Sequence, residues 1–179
     1  MDPVGKGGFD RRASNVLSGK YRDRDMVAFD YTYKTRSADG NGGTGTQTHR
    51  YVVCALALPT WLPYLEVGPE NVLEKLGNAL GFRDIELESE EFNRRFRVNA
   101  NDPKFAYDVL PARTLQHLLA LPAHHWRIEG NSIVCWGSGR LEPVDLLARL
   151  NTLAIVVDGI PDFVWRDNGI APTPQGGMP

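Results

Sequence analysis

Residues 51–65 read YVVCALALPTWLPYL, a run of 15 residues without a charge. A membrane-spanning helix needs about 20 mostly apolar residues, and Pro59 and Pro63 interrupt this one, so the segment is not a span. Its alternation points to a strand instead. Val52, Cys54, Leu56 and Leu58 fall on one face of an extended chain, and Tyr51, Val53, Ala55 and Ala57 on the other. Both faces are apolar, which predicts a central strand covered on both sides.

Working outward, Val27, Phe29, Tyr31 and Tyr33 alternate with Ala28, Asp30, Thr32 and Lys34, the period of a strand with one buried face. The polar stretch Arg22, Asp23, Arg24, Asp25 predicts a turn joining it to a weaker strand over 16–21. Residues 37–48, SADGNGGTGTQT, have no apolar anchor and read as a flexible loop between two long strands. The chain therefore opens as an antiparallel meander, with a further short strand over 64–67.

Downstream, helical spacing of Val72, Leu73, Leu76, Ala79 and Leu80 predicts a helix over 69–80. Residues 85–88 alternate like a brief strand, and Phe92, Phe96 and Val98 mark an extended segment carrying Arg94, Arg95 and Arg97. Asp102 and Pro103 have the form of a helix start, the carboxylate accepting free backbone N–H groups, and Pro111 separates that helix from one over 114–121. Gly130 and Asn131, between apolar runs over 126–129 and 132–136, form a hairpin signal. Glu142 and Pro143 open a last helix with Val144, Leu147, Leu150, Ala154 and Val157 on its stripe, after which the chain reads as irregular. The fold class is α+β: a mainly antiparallel sheet, its meander of long strands first, with three to four helices packed on it. The organisation expected is a flexible basic, Gly-rich lead-in over 1–14, a single domain over 15–166 and a disordered Pro/Gly-rich tail over 167–179.

The 22 acidic and 20 basic residues leave a net charge of −2, which argues against a nucleic-acid binder, whose affinity comes from surplus cations. Cys54 and Cys135 are too few for a disulfide framework, and no secretory signal precedes them, so a reducing, cytoplasmic compartment fits. As small residues among apolar neighbours they read as buried free thiols, able to form a disulfide only if their strands are neighbours.

Several groups of residues invite chemistry. Asp84, Glu86, Glu88, Glu90 and Glu91 could serve acid–base work or hold a hard cation, but Ile85 and Leu87 alternate with them as on a solvated edge strand. His117, His124 and His125 lack the recurring spacing of a zinc site and read as structural. The glycines of 40–45 and the Lys6-Gly7-Gly8 run lack the strand-before, helix-after context of a phosphate loop. Arg94, Arg95 and Arg97 with Phe92 and Phe96 could face RNA or lipid, though the acids just before them predict cross-strand neutralisation. Gly137-Ser138-Gly139 is not a nucleophile elbow. No catalytic, cofactor-binding or metal-ligating set emerges, and no cofactor is expected.

Two stretches are more specific. Residues 9–35 (FDRRASNVLSGKYRDRDMVAFDYTYKT) and 88–110 (ESEEFNRRFRVNANDPKFAYDVL) resemble an uncharacterised, mainly actinobacterial family described only as membrane or hypothetical proteins. The shared pattern is Glu91-Phe92, then Phe96 and Val98, Asp102, Ala106 and the Leu110-Pro111 step. The resemblance spans about 9–164 and implies no activity. Family members often carry hydrophobic segments before the basic stretch that begins this chain, so the resemblance implies either a membrane anchor upstream of residue 1 or a naturally soluble relative. Lys6, Arg11 and Arg12 beside such an anchor would hold the domain at the cytosolic face of the bacterial membrane. The reading that follows is a non-enzymatic interaction or regulatory domain with a protein partner. The alternatives are a hydrolase using acids of 84–91 with His117 or His124, and an anionic-lipid or small-ligand module using Arg11, Arg12, Lys20, Arg22 and Arg24.

Overall fold

The structure, a computed structural model, describes residues 8–38, 44–69 and 83–169. It contains an antiparallel sheet with helices on it, the α+β arrangement expected. Strand β1 (Phe9–Tyr21) and β2 (Arg24–Ala38) form the predicted hairpin. Its turn residues Arg22 and Asp23 both have positive φ, 48° and 63°, the twist that matches two flanking strands. Strand therefore begins at Phe9, within the stretch read as lead-in.

The centre is β3 (Thr44–Pro69), which is longer than the sequence suggested. Thr44–Thr48 pairs with Ala38–Lys34 of β2, so all of the described part of the expected loop is ladder; residues 39–43 lie outside the described residues. One edge of β3 pairs with β2 and then, from Leu65, with β5 (Phe96–Ala100); β4 (Arg83–Asp84) follows β5 at that side of the sheet. Along its length β3 also pairs with β6 (His125–Ser138). Val52, Cys54 and Leu56 are fully buried, but Tyr51 and Ala55 are half-buried and Ala57 is exposed. Double coverage is thus corrected: one face lies against the core, while the other is covered only in part. The helix expected over 69–80 lies outside the described residues apart from Pro69, which ends β3.

The hairpin expected at Gly130-Asn131 is also corrected. Both apolar runs belong to the single strand β6, which lies antiparallel to β3, with register shifts between Ala57 and Leu65. Gly130 has φ 63° opposite Leu62, where the extra residues of the irregular ladder lie on β3, so its left-handed backbone marks a bulge in the pairing rather than a chain reversal. The bulge changes the buried parity from Trp126 and Ile128 to Ile133 and Cys135. It also bends the strand so far that Trp136 reaches His125 at its other end, with ring centroids 4.1 Å apart.

The edge continues only to Ile85, whose N–H donates to the Val98 carbonyl at 2.8 Å, and residues 86–88 leave it. The Asn93 side chain donates to the Leu87 carbonyl at 2.7 Å and accepts from its N–H at 3.0 Å, taking the groups a strand would pair. Phe92, Arg94 and Arg95 fall on helix α1 (Glu90–Arg95), not on an extended segment. Ser89 caps it from Phe92 N at 3.2 Å, and its acids precede its arginines, the order the helix dipole favours. Helix α2 (Pro103–Val109) starts as expected, with Asp102 accepting from Lys104 N at 2.9 Å, and Pro111 separates it from α3 (Ala112–Leu119).

Helix α4 (Pro143–Gly159) covers the apolar face of β3 and β6. Of the expected stripe, Leu150, Ala154 and Val157 are buried, but Val144 and Leu147 are exposed, and Leu146 and Leu153 take the packed positions instead. Nearly every turn of this helix is apolar, so periodicity alone does not single out the packed face. Past it the chain is helical rather than irregular, forming α5 (Asp162–Asp167); the tail over 171–179 lies outside the described residues. Among the described residues, no helix is long and apolar enough to cross a membrane.

Candidate functional site

The acidic segment and the histidines do not meet. Glu86, Glu88, Glu90 and Glu91 are exposed, while Ile85 and Leu87 turn into the core, as on the solvated face read from the sequence. A pocket of about 350 Å³ opens beside them between Leu87, Ser89, Tyr107, Leu110 and Gln116, with Glu88 at its rim and no histidine in its wall. His117 is exposed, and His124 lies elsewhere, its Nδ1 2.9 Å from Thr152 Oγ1. Burial, then the nearby Arg149 cation, pushes the His124 pKa down from 6.5 to about 4. The arginine-strand pairing expected for Arg94, Arg95 and Arg97 is replaced in part by capping. Arg95 donates to the carbonyls of Leu119 and Leu121, closing the end of α3.

The histidine that does meet a carboxylate is His125, whose Nε2 lies 2.9 Å from Glu66 Oε1. Glu66 Oε2 accepts from Tyr64 Oη at 3.0 Å. Both partners of the pair are sealed, with side chains only 6% and 5% exposed. The bend of β6 lays Trp136 on the His125 ring, and Arg127 stands 5.1 Å over the Trp136 ring centroid. Gly68 faces the other side of the imidazole, where a Cβ would come within 3.0 Å of the ring. The pair sits in the fold of a bent two-stranded ribbon, which no local motif announces.

Cys54 and Cys135 are direct register partners on β3 and β6, both fully buried and both free thiols. The hydrogen bond with Cys135, and then burial, raises the Cys54 pKa. Burial resists ionisation of Cys135 too, but the bond from Cys54 and the Arg149 cation outweigh it and pull its pKa down. Arg149 Nη1 is 3.7 Å from Cys135 Sγ and its Nε donates to Asp145 Oδ2 at 2.7 Å. It crosses the sheet beside Gly137, where a Cβ would stand 2.6 Å from the guanidinium.

The basic residues of the first hairpin are largely spoken for. Arg12 and Lys34 pair with Asp10 at 3.0 and 2.7 Å, and hold its carboxyl below the usual range, Lys34 first. Lys20 pairs with Asp25, and Arg22 and Arg24 both reach Asp158 at the end of α4. These pairs fasten the hairpin to itself and to α4. In place of a basic patch, the sheet face turns polar beyond the cover of α4. Its cross-strand pairs run from Ala28 and Cys54, through Asp30 and Val52, to Thr32 and Arg50. There a pocket of about 250 Å³ lies between Ser14, Asn15, Asp30, Tyr51, Arg50 and Arg140, and a neighbouring one of about 220 Å³ shares Thr32 and Arg50.

Glu66, Arg149 and Asp30 escaped the sequence reading, because alternation put Asp30 on the polar face of its strand and helical spacing put Arg149 off the apolar stripe, yet all three are buried. Such a charge must find partners inside the fold.

A comparison with family models finds no match, and neither does one with curated proteins. Among solved structures, the chain is similar to the crystal structure of the mycobacterial trehalose monomycolate transport factor A, TtfA. The TM-score is 0.65 at 17% identity, over 98% of this chain and 81% of that one. At that identity the likeness establishes the fold.

Proposed function

We propose that this chain is a non-enzymatic interaction or regulatory domain, working at the cytosolic face of a bacterial membrane as an accessory factor in a transport process. The observation that carries the reading is the sealed Glu66–His125 pair. The histidine–carboxylate contact among the described residues is closed off from solvent and serves to hold the bent ribbon together. The acids that do reach solvent, Glu86 to Glu91, have no base beside them. The name of TtfA, a transport factor, supports the accessory role, and Lys6, Arg11 and Arg12 support the cytosolic side.

The test is chemical crosslinking in native cells followed by membrane fractionation and capture of the full chain, paired with a hydrolase substrate panel on the purified protein. The expected result is recovery in the membrane fraction, crosslinked to a discrete protein partner, without turnover. Hydrolysis of any ester, phosphate or glycoside that Glu66→Gln abolishes would overturn the reading.

A further inference from the structure

The pocket at the polar end of the sheet is built rather than incidental. Asp30 is buried at its base, and both carboxylate oxygens are used: Oδ2 accepts from Asn15 Nδ2 at 2.6 Å and Oδ1 from Leu141 N at 2.6 Å. Asn15 reaches it because β1 is irregular between Ser14 and Leu17, where Asn15 takes a φ of 51°. On the other side, the chain leaving β6 is pinned twice. Gly139 N donates to the Arg50 carbonyl at 3.2 Å, and Leu141 N donates to Asp30. Gly139 has a φ of 126°, a conformation other residues rarely adopt, and so turns the chain between the two pins. Arg140 stands between them, beside the same pocket as Arg50.

The arginines of this region differ from the other cations nearby. Arg12, Lys34, Arg22 and Arg24 are matched to Asp10 and Asp158. The side chains of Arg50 and Arg140 have no partner among the described residues, and both are exposed at the pocket wall. Guanidinium groups present planar paired donors that fit oxyanions, and two of them at one cavity form a site for charge-assisted hydrogen bonding. Ser14, the register partner of Asp30, adds a hydroxyl group to the wall. A volume of about 250 Å³ suits a head group rather than a larger metabolite. Asp30 orders the donors around it, and its oxygens already face N–H groups.

We propose that this pocket binds a phosphate-type oxyanion, held by Arg50 and Arg140, carried either by a soluble phosphate or by an anionic lipid head group. The site does not rest on the interaction reading above. A crosslinked partner without anion binding would leave that reading standing and overturn this one.

The experiment has two arms on the full chain: calorimetric titration with inorganic phosphate, and co-sedimentation with phosphatidylcholine vesicles containing phosphatidic acid. Saturable, salt-sensitive binding is expected in at least one arm. Binding to phosphate identifies a soluble source, and binding to vesicles alone identifies a lipid head group. Arg50→Gln and Arg140→Gln should each weaken it about tenfold, the scale of a lost charge-assisted bond. Arg94→Gln, an exposed arginine on α1 outside the pocket, should bind as wild type. Because neither pocket arginine has a partner to lose among the described residues, both variants should melt with the wild type; if Arg50→Gln does not fold, Arg140→Gln decides. No saturable binding in either arm, or pocket variants that bind like the wild type, would overturn the proposal.

Discussion

Glu66→Ala is the sharpest probe of how the bent ribbon is held. The wild-type carboxylate accepts from His125 Nε2 at 2.9 Å and from Tyr64 Oη at 3.0 Å, inside the fold. Truncation leaves the buried His125 N–H without its acceptor, at the roughly 3–5 kcal/mol of breaking a buried pair. In a chain of this size each kcal/mol moves the melting temperature by about 2–4 °C, so a fall on the order of 10 °C is expected. Glu66→Gln keeps the shape and gives up the charge, and should lose only about 1–2 kcal/mol. The double change Glu66→Leu with His125→Phe removes the unmet donor while keeping a ring against Trp136, and should recover most of the loss. Urea titration followed by tryptophan fluorescence reads all three, because Trp136 lies on the perturbed ring. A Glu66→Ala loss below about 1 kcal/mol would mean the carboxylate is solvated, and the argument for a sealed, structural pair would fail.

Other consequences can be measured on the same footing. Asp102→Ala should cost about 1 kcal/mol through lost capping of Lys104 N, and Asp102→Asn much less; an unchanged melt for the alanine variant would remove the cap. His124, with its folded pKa near 4 against 6.5 in the unfolded chain, stays neutral in the fold while the unfolded ring takes up a proton. Stability should therefore fall as the pH drops from about 6.5 to about 4, by about 3 kcal/mol in total, and His124→Gln should flatten that part of the profile. If the variant keeps the wild-type slope, the titration belongs to another group. Cys54 and Cys135 should react with an aromatic disulfide reagent only once denaturant unfolds the sheet, and reaction at the native rate of a small exposed thiol would contradict their burial.

Some features were legible because they depend on neighbours in sequence. Alternation gave β2 and the core face of β3, but it chose the wrong face of β2: Ala28 and Asp30 are buried, whereas Val27, Phe29 and Tyr31 are half-buried; Arg22 and Asp23 gave the first hairpin, and Asp102-Pro103 and Pro143 gave helix starts. Gly130-Asn131 misled because a positive φ serves a bulge as well as a turn, and local sequence does not say whether the chain reverses. Ser89, three residues before Phe92, was a cap signal hidden by the alternating phenylalanine and valine that follow. The polar clusters were harder to read, since their members come from separate elements: Glu66 with His125, Arg149 with Cys135, Asp30 with Asn15 and Leu141.

By itself, the sequence determined a strand-rich α+β chain in which the uncharged run 51–65 is the core of the sheet, because burial of alternating side chains is a local, periodic property. Tertiary structure alone decided that this strand bends, that it meets β6 along its length, and which charges pair. Bending closes residues distant in sequence around Glu66 and His125, while the packing of α4 brings Asp158 to Arg22 and Arg24, and Arg50 and Arg140 come together beside a pocket. Those outcomes depend on distances between elements, which charge and periodicity along the chain do not encode.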